Sequence, residues 1–237
     1  MRINCLVEDI KKQNNEIRLI DNSYHYLSKV LRIKIGQNLI IFDGLGLFYK
    51  VSVREIKKNE ILTSIQSQHY QEIPDQTINL FQAIPKNSRW EIILQKAVEL
   101  GITNIYPMIT ENVESKFNEK KFLRWKEIIK SSAEQSECRW IPNLHLPEKF
   151  SSTLEKIKEH DVCLIGSLYS NSKKLKEIPW KSIRKISLFI GPEGDFSENE
   201  INHAIDKGVI PVTFGPQVLR TETAAIFGLS VIAHELR

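Results

Sequence analysis

Two short stretches carry residue types suited to chemistry. Arg220 stands in Leu219-Arg220-Thr221-Glu222-Thr223, directly before an apolar segment. Glu193 stands in Gly191-Pro192-Glu193-Gly194, directly after the apolar run Ile186–Ile190. An arginine beside a glycine-rich turn at a strand end has little packing reason to be there. It suits the stabilisation of negative charge that develops on a reacting group. Glu222 and Glu193 are candidates to accept a proton, directly or through water. The bland alternative for Glu222 is to cap the last helix or orient Arg220, because acids in a first helical turn complement the dipole. Gly191 and Gly194 let a ligand approach the main chain closely.

The elements that must position these residues follow from local patterns. Ile186–Ile190 is predicted to be a strand buried on both faces, since a short apolar run ends in turn formers. Ser197 with Glu200 three residues on forms a capping box, and Gly208 closes the helix that it opens. Val209–Phe214 is a second apolar strand ending in Gly215-Pro216, and Arg220–Thr223 opens the last helix. Strand, loop and helix thus occur twice, with glycine-rich loops at the carboxyl ends of strands, where open α/β sheets bind ligands.

Gly191–Glu200 and then Phe214–Ala224 resemble, in order and at the expected separation, the paired motifs of the RsmE family. That family comprises the N3-methyltransferases that act on a uridine of 16S ribosomal RNA, within the SPOUT superfamily. Weaker similarity covers nearly the whole chain. Two departures occur. The family usually has glycine where Asp195 stands and arginine where Gln217 stands. The resemblance implies S-adenosylmethionine as methyl donor and 16S ribosomal RNA of the small ribosomal subunit as partner. It also implies a homodimer and an α/β fold: a SPOUT-type trefoil-knotted parallel sheet with a small N-terminal PUA-like β-barrel domain. Knots are nearly absent from proteins, and nothing in composition or periodicity indicates one.

Length and composition agree with a globular protein of one large or two modest domains. The 237 residues are 41% hydrophobic and 26% charged, with a net charge of +4. Mild basicity permits a nucleic-acid partner without requiring one. Cys5, Cys138 and Cys163 lie far apart and in no C-x-x-C pair, against disulfide or zinc frameworks and for a reducing cytoplasm. The N-terminus lacks the apolar core of a signal peptide, and no run nears the ~20 residues that cross a bilayer. No metal site is expected.

Residues 1–72 read as a β-rich domain, PUA-like and RNA-binding by the resemblance, and residues 73–237 as the methyltransferase domain. In the first, Asn38–Asp43, Phe48–Ile56 and Ile61–Ile65 are strands, and Ser23 is expected to cap a helix carrying Tyr26, Leu27, Val30 and Leu31. Glu72–Thr77 is the linker. Beyond it, Leu80–Ile84 is a strand, Pro85–Ser88 a turn, and Ser88 with Glu91 a capping box. That box opens a helix whose apolar face is Trp90, Ile93, Leu94, Ala97 and Val98. Ile102–Ile109 and Asp161–Ser167 are further strands, and Glu119–Cys138 a long helix. The terminal helix is apolar on most sides, as expected for one buried in the core or against a partner.

The resemblance places the cofactor's adenine against main chain and apolar side chains of three loops. The candidates are Leu168, Ile190, Gly191, Gly194, Phe214, Gly215, Val218, Leu219 and Thr223, with Arg220 and Glu222 catalytic. For Ile190, Phe214 and Leu219 a core role fits equally. Lys29, Arg32, Lys86, Arg89 and Arg139 are candidate phosphate contacts, against a solvated surface as the plainer reading. Ala133–Arg139 is similar to another family pattern, so Glu134 and Arg139 either point at the site or cap and pair locally. The basic run from Lys173 to Lys185 meets phosphates or is simply solvated. Rival functions are a SPOUT methyltransferase acting on another RNA such as tRNA, and an RNA-binding assembly factor without catalysis. No G-x-G-x-x-G follows any strand, which disfavours a nucleotide-binding dehydrogenase.

Overall fold

The computed structural model describes residues 3–86, 88–113, 117–168 and 171–237. The chain divides into two compact units, one of Met1–Ile73 with Lys130–Ile141, the other of Pro74–Ile129 with Pro142–Arg237.

In the first unit the strands are β1 (Ile3–Leu6), β2 (Lys12–Gln13), β3 (Glu16–Leu19), β4 (Asn38–Phe42), β5 (Leu47–Ile56) and β6 (Ile61–Tyr70), with helix α1 at Asp21–His25. They form one sheet in the order β1-β4-β5-β6-β3-β2, with β1 parallel to β4 and the other pairs antiparallel. Val51 and Val53 are buried while Lys50 and Arg54 face solvent, which is the period-2 alternation of a half-buried strand. The turn after β4 is set by Asp43, whose Oδ1 accepts the N–H of Leu45 at 2.7 Å and of Leu47 at 3.1 Å.

Residues 130–141 are stitched into this unit by polar contacts. Glu134 accepts the Leu6 N–H at 2.9 Å. The Trp140 indole donates to the Gln71 carbonyl at 2.9 Å. Gly46 has φ +95°, and a Cβ there would come within 2.7 Å of the Trp140 ring, so only glycine allows the approach. Ser23 does not cap a helix. It lies inside α1 and donates back to the Ile20 carbonyl, and the chain enters through extended Ile20 instead. A single π-helical turn, Tyr26–Val30, follows; Leu27 is buried, but Val30 and Leu31 are exposed.

The second unit contains β7 (Thr77–Ala83), α2 (Ser88–Glu99), β8 (Asn104–Ile109), β9 (Asn143–Leu144), β10 (Glu148–Lys149), α4 (Phe150–Thr153), β11 (Val162–Gly166), β12 (Lys173–Lys174), β13 (Lys185–Ile190), α5 (Glu198–Asp206), β14 (Ile210–Thr213) and α6 (Thr221–Leu236). The remaining helix, α3 (Glu119–Ser136), contributes its first part here and its last turns to the first unit. Among the described residues the strands form one parallel sheet in the order β10-β8-β7-β13-β11-β14-β12, with β9 also on β8.

Register puts like side chains in rows across this sheet. Asn143, Asn104 and Asn79 are successive neighbours, and their amides are chained at 3.3 and 2.8 Å. Two residues further on, Tyr106, Phe81 and Phe189 stack, each neighbouring pair of ring centroids 4.4 Å apart. Cross-strand pairs of this kind are the unit of sheet stabilisation. Phe150 of α4 and Ile201 and Ala204 of α5 pack into the core on that face. On the other face α6 lies against Leu188, and α2 lies against α6. The expected α2 face, Trp90, Ile93, Leu94, Ala97 and Val98, is buried throughout. Ser88 is the first helical residue rather than a cap, Glu91 pairs with Arg124 at 2.6 Å, and Asn87 of the expected turn lies outside the described residues. Ser197 and Glu200 make the expected capping box, and Gly208, at φ +84°, lies just past the end of α5.

Candidate active site

The adjacent strands β13, β11 and β14 end together, and the loops that leave them enclose a cavity of about 310 Å³. Of the residues expected there from the sequence, Leu168, Ile190, Gly191, Phe214, Gly215, Val218 and Leu219 line it, and so does Arg220. Small residues keep the cavity open: a Cβ on Gly166 would come within 2.9 Å of the Phe214 ring. Gly194 and Thr223 do not line it. The Gly194 carbonyl is turned to Asn112 and its residue borders a second cavity, while Thr223 sits on the exposed side of α6.

The loops are held by groups that the sequence did not single out. Thr221, 5% exposed, donates its hydroxyl to the Gly191 carbonyl at 2.6 Å. Gln82 at the end of β7 donates to that hydroxyl at 3.0 Å. One buried chain therefore joins β7, the loop after β13 and the first turn of α6. The signal for Gln82 was a lone amide within the apolar run Leu80–Ile84. Asn112 donates to the carbonyls of Gly194 at 3.1 Å and Asp195 at 3.0 Å. Its signal was weaker: a polar cluster, Thr110-Glu111-Asn112, at a strand's carboxyl end.

Arg89, Glu193 and Glu222 form a charged cluster beside the cavity. Arg89 Nη1 bonds Glu193 Oε1 at 2.7 Å, and its Nε lies 3.7 Å from Glu222 Oε2. Partial burial pushes Glu193 upward, but the Lys86 N–H, its own N–H and Arg89 outweigh this and hold it below the usual carboxylate range. Arg89 was expected as a phosphate contact. It is instead engaged by two carboxylates. Glu222 does not border the cavity; among the described residues its buried Oε2 has no hydrogen bond and is reached by the Arg89 ion pair.

Arg139, also expected to meet phosphate, belongs to the first unit and is 5% exposed. Its guanidinium lies over the Phe42 ring at 4.9 Å and the Phe48 ring at 5.0 Å and donates to Asn4 Oδ1. Cation–π packing and burial leave it no path to a phosphate. Lys29, Arg32 and Lys86 are exposed.

Asp195 borders the cavity with φ +59°, a left-handed conformation natural to glycine and tolerated by aspartate. That is the conformational reason glycine suits this position in the family the motif resembles. Its Oδ1 accepts the Phe196 N–H at 2.8 Å, and burial pushes its carboxyl above the ordinary range against that bond. A folded-state pKa above the unfolded one means that stability falls as pH rises through that window. Asp195→Asn keeps the acceptor and the backbone preference but removes the charge. Its melting temperature should exceed the parent's at pH 7, and the difference should vanish below roughly pH 4, where the unfolded-state carboxyl is also protonated. Paired thermal scans at the two pH values check this.

Known proteins share both the site's scaffold and the unit preceding it. Residues 71–233 match the RNA methyltransferase domain family, and residues 19–66 match the RNA methyltransferase PUA domain family. The ribosomal RNA small subunit methyltransferase E of Buchnera aphidicola subsp. Schizaphis graminum is 34% identical over 226 residues, covering 93% of this chain and 91% of its own. Its namesake in Mesomycoplasma hyopneumoniae is 35% identical over 224 residues, covering 93% of this chain and 95% of its own. The crystal structure of ribosomal RNA small subunit methyltransferase E from Neisseria gonorrhoeae, bound to S-adenosyl methionine, superposes with a TM-score of 0.90 at 30% identity. That match covers 99% of this chain and 98% of that one. A Legionella pneumophila protein determined with bound cofactor SAM gives a TM-score of 0.87 at 33% identity, over 98% and 96% of the two chains. With likeness of this degree running almost end to end, the chain belongs to the ribosomal RNA small subunit methyltransferase E family.

Proposed function

We propose that this protein transfers the methyl group of S-adenosylmethionine to N3 of a uridine in 16S ribosomal RNA of the small ribosomal subunit. The observation that carries the reading is the cavity at the carboxyl ends of three neighbouring parallel strands, with Arg220 on its wall. The names of the relatives and the cofactor in two similar structures support it.

The cavity fits the cofactor's chemistry. Ile190, Phe214 and Leu219 can cover an adenine face, while the main chain around Gly191 and Gly215 offers donors and acceptors to its edge. When bound, S-adenosylmethionine supplies an electrophilic methyl on a sulfonium that leaves as a neutral thioether. The uridine must first be unpaired, at a cost of a few kcal/mol. Its N3 proton passes to Glu193 on the cavity wall, or through water to Glu222 beyond it, and the freed N3 lone pair forms the new bond to carbon. Arg220 stabilises the negative charge that deprotonation places on the uracil oxygens. Holding both reactants at attack distance supplies much of the rate.

Residues 1–72 act in this reading as the RNA-binding PUA-like domain and residues 73–237 as the methyltransferase, knotted, homodimeric and cytoplasmic. Among the described residues no helix is long and apolar enough to cross a membrane. Calorimetry with S-adenosylmethionine tests the donor site. Mass spectrometry of ribosomal RNA nucleosides from cells lacking the protein tests the product: 3-methyluridine should disappear from the small subunit. Its persistence, or its loss from tRNA instead, refutes the assignment.

RNA affinity should fall with salt, with a logarithmic slope of about 0.7 per neutralised phosphate. Lys29→Ala and Arg32→Ala should each lower that slope by about 0.7 if these exposed cations meet phosphates. Titrations at several salt concentrations measure it, and an unchanged slope removes the residue from the RNA surface.

A further inference from the structure

Gln82 is out of character with the strand that carries it. It stands in Leu80-Phe81-Gln82-Ala83-Ile84, and Phe81, Gln82 and Ala83 are each 0% exposed. Burying an amide is unfavourable unless its polar atoms are bonded. Among the described residues its Oε1 has no hydrogen bond. An apolar side chain of the same shape would serve the fold about as well. The reason for an amide here lies in what its other end holds.

Gln82 Nε2 donates to the Ala83 carbonyl at 2.9 Å and to the Thr221 hydroxyl at 3.0 Å, and it lies 3.5 Å from the Ile190 carbonyl. Thr221 in turn donates its proton to the Gly191 carbonyl at 2.6 Å. The atoms that meet Nε2 are all oxygens, and the hydroxyl's one proton is already committed. The amide therefore has a single workable orientation, and the chain runs from Gln82 to Thr221 to Gly191. Thr221 is the first residue of α6 and directly follows Arg220. The Arg220 side chain is exposed and makes no capping bond, and among the described residues no ion pair holds it. Where its guanidinium reaches is governed by where its backbone is anchored, and the anchor is one residue away.

We propose that Gln82 and Thr221 are positioning residues for methyl transfer. By tying the first turn of α6 to the end of β13, they aim Arg220 at the charge that forms on the acceptor base. The inference rests on the methyltransferase reading and adds which buried groups set the place of Arg220. Thr221→Val removes one hydroxyl with little change of shape, and Gln82→Met removes the amide at similar length. Each should lower kcat on 16S RNA by about 10–100-fold, the scale of loss when a catalytic group is misplaced by about 1 Å. The dissociation constant for S-adenosylmethionine should stay within about threefold of the parent's. Thr221→Ser, which keeps the hydroxyl, should recover most of the rate. The double variant should be no slower than the slower single one, because one chain is cut in either place. The decisive readout is one that a merely structural role would not move. In an Arg220→Ala background, Thr221→Val should cost less than about twofold, since the group it aims is gone. Thermal melting reports that each variant folds. Should either Thr221→Val or Gln82→Met fail to fold, the other carries the same comparisons. Parental kcat in the folded variants, or a full loss that persists without Arg220, overturns the inference alone. A wild type that transfers no methyl group to 16S RNA overturns the functional reading, and this inference with it.

Discussion

Arg220→Ala is expected to lower kcat by about 10²–10³-fold, the usual consequence of removing a donor that stabilises transition-state charge. The dissociation constant for S-adenosylmethionine should stay within about threefold. Arg220 is the N-cap residue of α6, in extended conformation, and its side chain contributes no capping bond. It is exposed and borders the cavity, so its removal leaves the core intact. Among the described residues no carboxylate pairs with it, whereas Arg89 nearby is paired twice. A cation without an acidic partner at a reacting centre keeps its field for the charge that forms there. The loss should therefore appear equally in kcat and kcat/KM, as for an interaction made only in the transition state. Arg220→Lys should recover part of the rate, since it keeps the charge and loses the planar fork. Steady-state kinetics with calorimetry measures all of this. Normal binding with near-normal turnover in Arg220→Ala would remove the residue from the mechanism.

What the sequence revealed of this site is what short spacings encode. The capping box of Ser197 and Glu200, the apolar face of α2 and the strands ending in Gly191 and Gly215 each depend on residues a few positions apart. The cavity wall followed because strand ends in a parallel sheet gather their loops at one edge. The misplacements have the opposite origin. Arg139 has the composition of a site residue at a helix end, yet its fate is set by Phe42, Phe48 and Asn4, about a hundred residues earlier in the chain. Arg89 reads as a surface cation on α2 until Glu193 and Glu222 are brought to it. Nor does any local pattern show that residues 130–141 belong with the first unit, since that grouping depends on contacts such as Trp140 with Gln71. Gly194 belongs to the glycine-rich motif, but its place in the motif does not fix which way it faces. Its carbonyl is claimed by Asn112, which turns it from the cavity that Gly191 enters.

Gly228→Leu should both destabilise the fold and weaken cofactor binding, because one close approach serves both. Gly228 lies in the middle of α6, where glycine costs about 1 kcal/mol relative to alanine. The gain that offsets this is contact. A Cβ there would lie 2.7 Å from Leu188 of β13 and 3.2 Å from the Phe214 ring. Accommodating a larger side chain moves α6 off the sheet or Phe214 out of place, at a cost of about 1–3 kcal/mol. A change of that size lowers the melting temperature of a chain this long by about 2–4 °C per kcal/mol. Phe214 also lines the cavity, so the same displacement should raise the dissociation constant for S-adenosylmethionine by roughly tenfold, about 1.4 kcal/mol. Ligand at 100 times the parent's dissociation constant stabilises by about 2.7 kcal/mol, and the variant should show about half that increment. Gly208→Ala supplies the contrast. At φ +84° with no atom within 4 Å of its Cβ, that glycine is required by backbone conformation alone. Its replacement should cost about 1 kcal/mol while leaving the ligand-induced increment unchanged. Thermal scans of both variants with and without the ligand separate the two effects. A Gly228→Leu protein with parental stability and affinity would mean that α6 and Phe214 yield freely, and that the cavity does not depend on their packing.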